Sequence, residues 1–468
     1  MGCISSHIDC PTIESIESEL QNSIRNIDIS NRDLNAFVRI YKEEDVGYCK
    51  YIRQKLKNEG QLGKLGGVVV GLKDLICYKD HPVQASSRIL EGFISSFSAT
   101  VVDRLIDGSA IIIGHQNCDE FGMGATNEHS IYGPVKNGLD INRVPGGSSG
   151  GSAVAVQQGM CRISIGTDTG GSVRQPAAFC GVIGFKPSYG RISRHGIIAH
   201  ASSFDTVGII GKSIDDIENV FYVISGPDGR DHTAYDKRYN INGTVNLEHC
   251  KIVYLNEVMH YDGLQPGVRS ALNRLFASLS NNKHDVTGVG FSLLDYCVPV
   301  YYTLTTAEAS SNLARYDGIR YGYRTKEYST LREMVCKTRS EGFGSEVKKR
   351  IVMGNFVLES NSKNGHYDKA RYMRLCIKNK LDELLAKYDF LVLPTTSTTA
   401  FRFNDKPSDV QIRCADVFTT IASIAQLPAI SIPYGIDDEG MPIGVQIITS
   451  MYNEKKLLTF SKYVLESC

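Results

Sequence analysis

No run of about 18 apolar residues occurs anywhere in this chain, so no membrane-spanning helix is expected. Its thirteen cysteines never fall into a Cys-x-x-Cys pair. That scatter argues against a disulfide framework or a zinc site and fits a reducing compartment. Neither charge is in excess: 51 basic and 51 acidic side chains leave a formal net charge of zero. So balanced a chain does not offer the main nucleic-acid surface on its own. Phosphate-cradling loops, internal repeats, low-complexity tracts, long linkers, a signal peptide and an Arg-rich presequence are all missing. The opening Met1-Gly2-Cys3-Ile4-Ser5-Ser6 fits the loose myristoylation pattern, with Cys3 beside it for palmitoylation. So short a match carries little weight, and no membrane association is expected.

The 468 residues are 42% hydrophobic, enough for a large core, and the apolar residues fall in alternating helical and strand-like runs. Ile13, Ile16, Leu20, Ile24 and Ile27 recur at helical spacing, as do apolar residues in 46–56, so 12–60 reads as two helices outside a sheet. Residues 66–72, 110–114, 161–166 and 251–255 read as strands. Helices are expected from residue 100, over 152–158, over 212–225 and over 266–280, with 227–248 loop-like. This alternation predicts an α/β fold, a mixed central sheet covered by helices on both faces. One domain over 1–468 is expected. Its parts are an N-terminal helical segment (1–60), a core (61–225), a variable region beside the site (226–345) and the C-terminal part of the core (346–468).

Chemistry-bearing residues concentrate in 144–191. Gly146-Gly147-Ser148-Ser149-Gly150-Gly151-Ser152 and Thr169-Gly170-Gly171-Ser172 are two glycine–serine clusters flanking a short helical run and a short strand. Glycine admits positive φ and lets main-chain N–H groups come close to a ligand. Ser148 or Ser149 is placed to cap the helix, and the second cluster can present successive N–H groups to an oxyanion. A serine nucleophile needs a base. The apolar run 66–72 ends in Lys73, and a lysine closing a buried strand is desolvated, which lowers its pKa. Gly147-Ser148-Ser149-Gly150-Gly151 also satisfies Gly-x-Ser-x-Gly, which would make Ser149 an elbow nucleophile, with His200 or His232 as its histidine. Glu128 and His129 read as loop polar groups rather than metal ligands.

On Lys73 and these two clusters, the sequence resembles the amidase signature family. The resemblance implies that family's fold and a Ser–Ser–Lys triad of Lys73, Ser148 and Ser172. It also implies an oxyanion hole on the main chain of Thr169, Gly170 and Gly171, with Ser172, and a substrate-site loop running from Gly122 to Thr126. The stretches 308–322, 340–351, 394–401 and 415–419 resemble its glutaminase branch, the subunits of tRNA-dependent amidotransferases, over about residues 66–450. Glutamine is then the implied substrate, bound by Arg350, Asp416 and, from the Tyr301-Tyr302 pair, Tyr301. A guanidinium suits the α-carboxylate and a carboxylate the α-ammonium.

No cofactor is implied in this chain. ATP and Mg²⁺ are expected in a tRNA-binding kinase/transamidase partner subunit (B type), joined by a small bridging subunit (C type), so that tRNA is met only indirectly. The cytoplasm is the implied compartment, with the mitochondrial matrix as the alternative. Residues 78–86 and Pro394-Thr395-Thr396-Ser397 depart from the branch's usual pattern, and the first 60 residues match it poorly. A stand-alone hydrolase of small amides is the alternative function.

Overall fold

The structure is a computed structural model that describes residues 12–41, 54, 61–236, 238–359, 365–403, 405 and 416–467. The expectations for 1–6 and, residue 54 apart, for 46–56 fall outside them. The strands are β1 (Phe37–Ile40), β2 (Val69–Lys73), β3 (Ile111–Gln116), β4 (Ile163–Asp168), β5 (Ile183–Lys186), β6 (Thr206–Gly211), β7 (Lys251–Leu255), β8 (Asp285–Val289), β9 (Phe390–Pro394), β10 (Ala429–Ile436) and β11 (Pro442–Ile448). All of them join one sheet in the order β1-β3-β2-β4-β6-β5-β10-β11-β9-β7-β8. Parallel pairs stand towards both ends, β2 with β3 and β4, and β7 with β8 and β9. The middle, from β4 through β6, β5, β10 and β11 to β9, is antiparallel.

Side chains alternate between the faces of a strand, and the core divides accordingly. Val70, Leu72, Ile112, Ile163 and Ile165 pack with the helices Thr100–Asp107 and Ile214–Ile224. Val69, Ile111 and Ile113 pack on the other side, with the N-terminal helix Ile13–Leu34 and the helix Gly150–Gln157. Lys73 shares its face with Val69, which turns it toward the start of the Gly150–Gln157 helix.

The helix Ile13–Leu34 is capped by the Thr12 hydroxyl, which accepts from Ser15 N–H, and buries Ile16, Leu20, Ile27 and Leu34. It ends at Asn35, whose φ of 56° is left-handed. The two-helix reading of 12–60 fails just beyond: Phe37–Ile40 is a strand, antiparallel to β3. Asn31 hooks it in place, with its side chain accepting from Phe37 N–H at 2.7 Å and donating to Phe37 C=O at 3.1 Å. The segment expected to vary beside the site contains β8, the helix Leu294–Leu313 and the helix Leu331–Gly342. Among the described residues, no helix is long and apolar enough to cross a membrane.

One buried ion pair ties the two halves of the sheet. Asp168, at the end of β4, and Arg174, opening the helix Arg174–Cys180, are both fully buried and meet at 2.8 Å. Arg174 continues to the Thr419 carbonyl at 2.9 Å, the Ser423 hydroxyl at 3.0 Å and the Gln446 side chain. Removing one partner of such a pair strands the other charge in the interior. Arg174→Met is therefore expected to lower the unfolding free energy by about 3–5 kcal/mol, read from the denaturant midpoint. An unchanged midpoint would show that the pair adds nothing.

Candidate active site

Lys73 is completely buried at the end of β2. Its Nζ lies 2.7 Å from Ser148 Oγ, 2.8 Å from Ser149 Oγ and 3.0 Å from Thr167 Oγ1. These partners are all neutral oxygens. Burial pulls its pKa from 10.5 down to about 8, with Cys118, Asp119, Asp168 and Asp205 pulling weakly the other way. The positive end of the Gly150–Gln157 helix, beside Ser149, acts in the same direction as burial.

The expected serine cap takes an unexpected form. Ser149 is the N-cap residue, but its side chain makes no capping bond. Its hydroxyl instead receives the lysine and donates to the Thr167 carbonyl at 3.3 Å. Ser149 is thus held beneath the site rather than raised on an elbow. His200 has no hydrogen bond to either ring nitrogen, and His232 is exposed. The elbow reading finds no support in these contacts.

Ser172 lies between β4 and the Arg174–Cys180 helix, and is 7% exposed. The main chain joins it to the first cluster, with Ser149 N–H donating to Ser172 C=O at 3.1 Å. Among the described residues, no hydroxyl-to-hydroxyl bond links Ser148 and Ser172. Asp168 shapes the loop between β4 and Ser172 by accepting from the N–H groups of Gly171 at 2.9 Å and Val173 at 3.2 Å. Burial raises the Asp168 pKa, but the charge and hydrogen bonds of Arg174 outweigh it and hold the carboxyl below its ordinary value.

The expected ring of donors is accordingly corrected. Gly171 N–H is engaged by Asp168, which leaves Thr169, Gly170 and Ser172 facing an oxyanion. Gly171, at φ 139°, admits no side chain: a Cβ there would come within 2.3 Å of Thr419 Oγ1. A Cβ on Gly170 would strike the Tyr301 ring at 2.4 Å. The 122–126 loop runs past the same point, with a Cβ on Gly122 falling 3.5 Å from Ser148 Oγ. Thr126 is buried, and its hydroxyl has no partner among the described residues.

The residues assigned to the ends of a zwitterion also meet. Tyr302 donates its hydroxyl proton to Asp416 Oδ2 at 3.3 Å, and the Arg350 guanidinium lies over the Tyr302 ring at 5.3 Å. Arg350 Nε donates to Glu346 Oε1 at 2.9 Å. Burial alone would weaken the charge on Arg350, but Tyr302, Glu346 and Tyr301 around it raise its pKa on balance. Burial lifts Asp416 to about 7, against the pull of Arg350. Tyr301 packs edge-on against Tyr302 and Phe204, between this cluster and Gly170.

Sequence reasoning missed Ser149 and Thr167 as partners of Lys73, Tyr302 as the tyrosine on Asp416, and Glu346 behind Arg350. The i, i+4 spacing of Glu346 and Arg350 on one helix was the available signal for the last. Among the described residues, no cluster of three or more His, Cys, Asp or Glu side chains could hold a metal ion.

A family model described as Amidase matches residues 19–458. The chain is 40% identical over 469 residues to the A-type subunit of the glutamyl-tRNA(Gln) amidotransferase of Chlorobium phaeobacteroides (strain BS1), covering 99% of this chain and 97% of that one. It is 42% identical over 439 residues to the A-type subunit of the same enzyme from Clostridium botulinum (strain Hall), covering 93% and 90%. Of solved structures, the A-type subunit from Thermotoga maritima superposes with a TM-score of 0.79 at 33% identity, covering 96% of this chain and 90% of that one.

Proposed function

The chain belongs to the amidase family, and on that premise we propose that it is the glutamine-hydrolysing subunit of a tRNA-dependent amidotransferase. Lys73 in its neutral form donates to Ser149 and Thr167, and its lone pair takes the proton of Ser148. Ser148 takes the proton of Ser172, whose hydroxyl swings toward it about χ1. Ser172 Oγ attacks the carboxamide carbon, and the main-chain N–H groups of Thr169, Gly170 and Ser172 hold the oxyanion. Collapse releases ammonia, protonated back along the same relay, and water resolves the acyl-enzyme to glutamate. The ammonia passes to a partner subunit that carries the tRNA, ATP and Mg²⁺. The same reading places the complex in the cytoplasm.

The buried Arg350–Tyr302–Asp416 cluster beside the nucleophile loop carries this reading over that of a general amidase. It offers one fixed cation and one fixed anion, a match for an α-amino acid and not for a simple amide. Ammonia release from glutamine is expected to exceed that from an aliphatic amide by at least about 10²-fold in kcat/KM, because unpaired buried polar groups reject ligands that lack their partners. It should rise further when the chain is purified with its tRNA-binding partner. A preference for the aliphatic amide would favour the stand-alone hydrolase, and equal turnover with and without partners would count against the complex.

A further inference from the structure

We propose that His200 is a substrate-binding residue whose ring N–H donates to the α-carboxylate of bound glutamine beside Arg350, an assignment that rests on the glutaminase reading. His200 is 3% exposed, and neither of its ring nitrogens has a hydrogen-bond partner. Buried polar side-chain atoms are paired in the large majority of cases, so this ring stands out. Its main chain, by contrast, is firmly engaged. The N–H groups of His200 and Ala201 donate to Asp205 Oδ2 at 2.9 and 3.0 Å, and the His200 carbonyl accepts from Asn312 Nδ2 at 3.1 Å. Asp205 also accepts the Thr169 hydroxyl at 2.7 Å, which pins the segment to the nucleophile loop.

Burial holds the ring neutral, and Arg350 and then Lys73 add to that effect, so it lies within reach of the carboxylate anchor and the general base together. A neutral imidazole carries one donor and one acceptor. The carboxamide oxygen is served by main-chain donors and the α-ammonium by Asp416. That leaves the α-carboxylate, drawn in by Arg350, as the oxygen ligand for the ring N–H.

His200→Phe keeps a planar ring and removes both nitrogens, while His200→Gln keeps a donor. In His200→Phe, KM for glutamine and Ki for glutamate are expected to rise about tenfold, the worth of one hydrogen bond. The kcat should stay within about twofold, since ground and transition states share the contact. His200→Gln should recover most of the loss. In the unmodified chain carrying nitrogen-labelled histidine, glutamate should shift the ring-nitrogen resonances of His200. Unchanged KM and Ki, a fall in kcat at constant KM, or unshifted resonances would each overturn the assignment. A wild-type enzyme that does not hydrolyse glutamine would overturn the glutaminase reading itself and, with it, the ligand named here.

Discussion

Ser172→Ala is expected to lower kcat for glutamine hydrolysis by at least about 10⁴-fold, because the attacking oxygen is gone and no acyl-enzyme can form. What remains is the contribution of the oxyanion donors and of substrate positioning. Glutamine should still bind, since Arg350, Tyr302 and Asp416 do not depend on the Ser172 hydroxyl. Thermal stability should be unaffected, because the ties of the loop run through the Asp168 carboxylate and the Ser172 carbonyl, not through that hydroxyl. The informative control is Ser149→Ala. An elbow nucleophile at 149 would make that variant the dead one and leave Ser172→Ala active. The geometry predicts the reverse order, with Ser149→Ala impaired only as far as Lys73 is disordered by losing one of its three hydroxyl neighbours. Ammonia release, together with trapping of an acyl-enzyme in single-turnover experiments, separates the cases.

How much of this was visible in the sequence depends on how local each feature is. Lys73 was legible because a charged side chain closing an apolar run has few physical explanations. The two glycine–serine clusters were legible because close main-chain approach leaves its mark in residue type. β1 was not, since four residues carry too little periodicity and its docking relies on the Asn31 side chain from the preceding helix. The engagement of Gly171 N–H by Asp168 was also hidden. Counting glycines gives the number of main-chain donors but not the carboxylate already facing one of them. Tyr301 and Tyr302 are adjacent and point about 100° apart around a helix, so a motif assigns the pair while only the fold decides which ring reaches Asp416. His200 gave no sequence signal beyond its identity. Its meaning comes from being buried with unpaired nitrogens, a three-dimensional property.

Lys73→Ala is expected to cost at least about 10³-fold in kcat, the loss of a positioned general base, and its pH dependence carries the decisive information. The amine acts when unprotonated. With its pKa drawn by burial to about 8, wild-type kcat should climb about tenfold per pH unit below that point and level off above it. The profile of kcat/KM should show a second limb. Burial raises Asp416 to about 7, and below that pH its protonated carboxyl no longer holds the α-ammonium of free glutamine. The slope should therefore steepen under pH 7. In Lys73→Ala the limb near 8 should vanish from the residual rate while the limb near 7 persists in kcat/KM. A residual profile that keeps the upper limb would move the base elsewhere. Lys186 is the other lysine that burial pulls into this range, to about 7, but its Nζ donates to the carbonyls of Pro187 and Leu427 at 3.0 and 2.6 Å. With no hydroxyl among these partners, Lys186 has no proton to relay, which leaves the upper limb to Lys73.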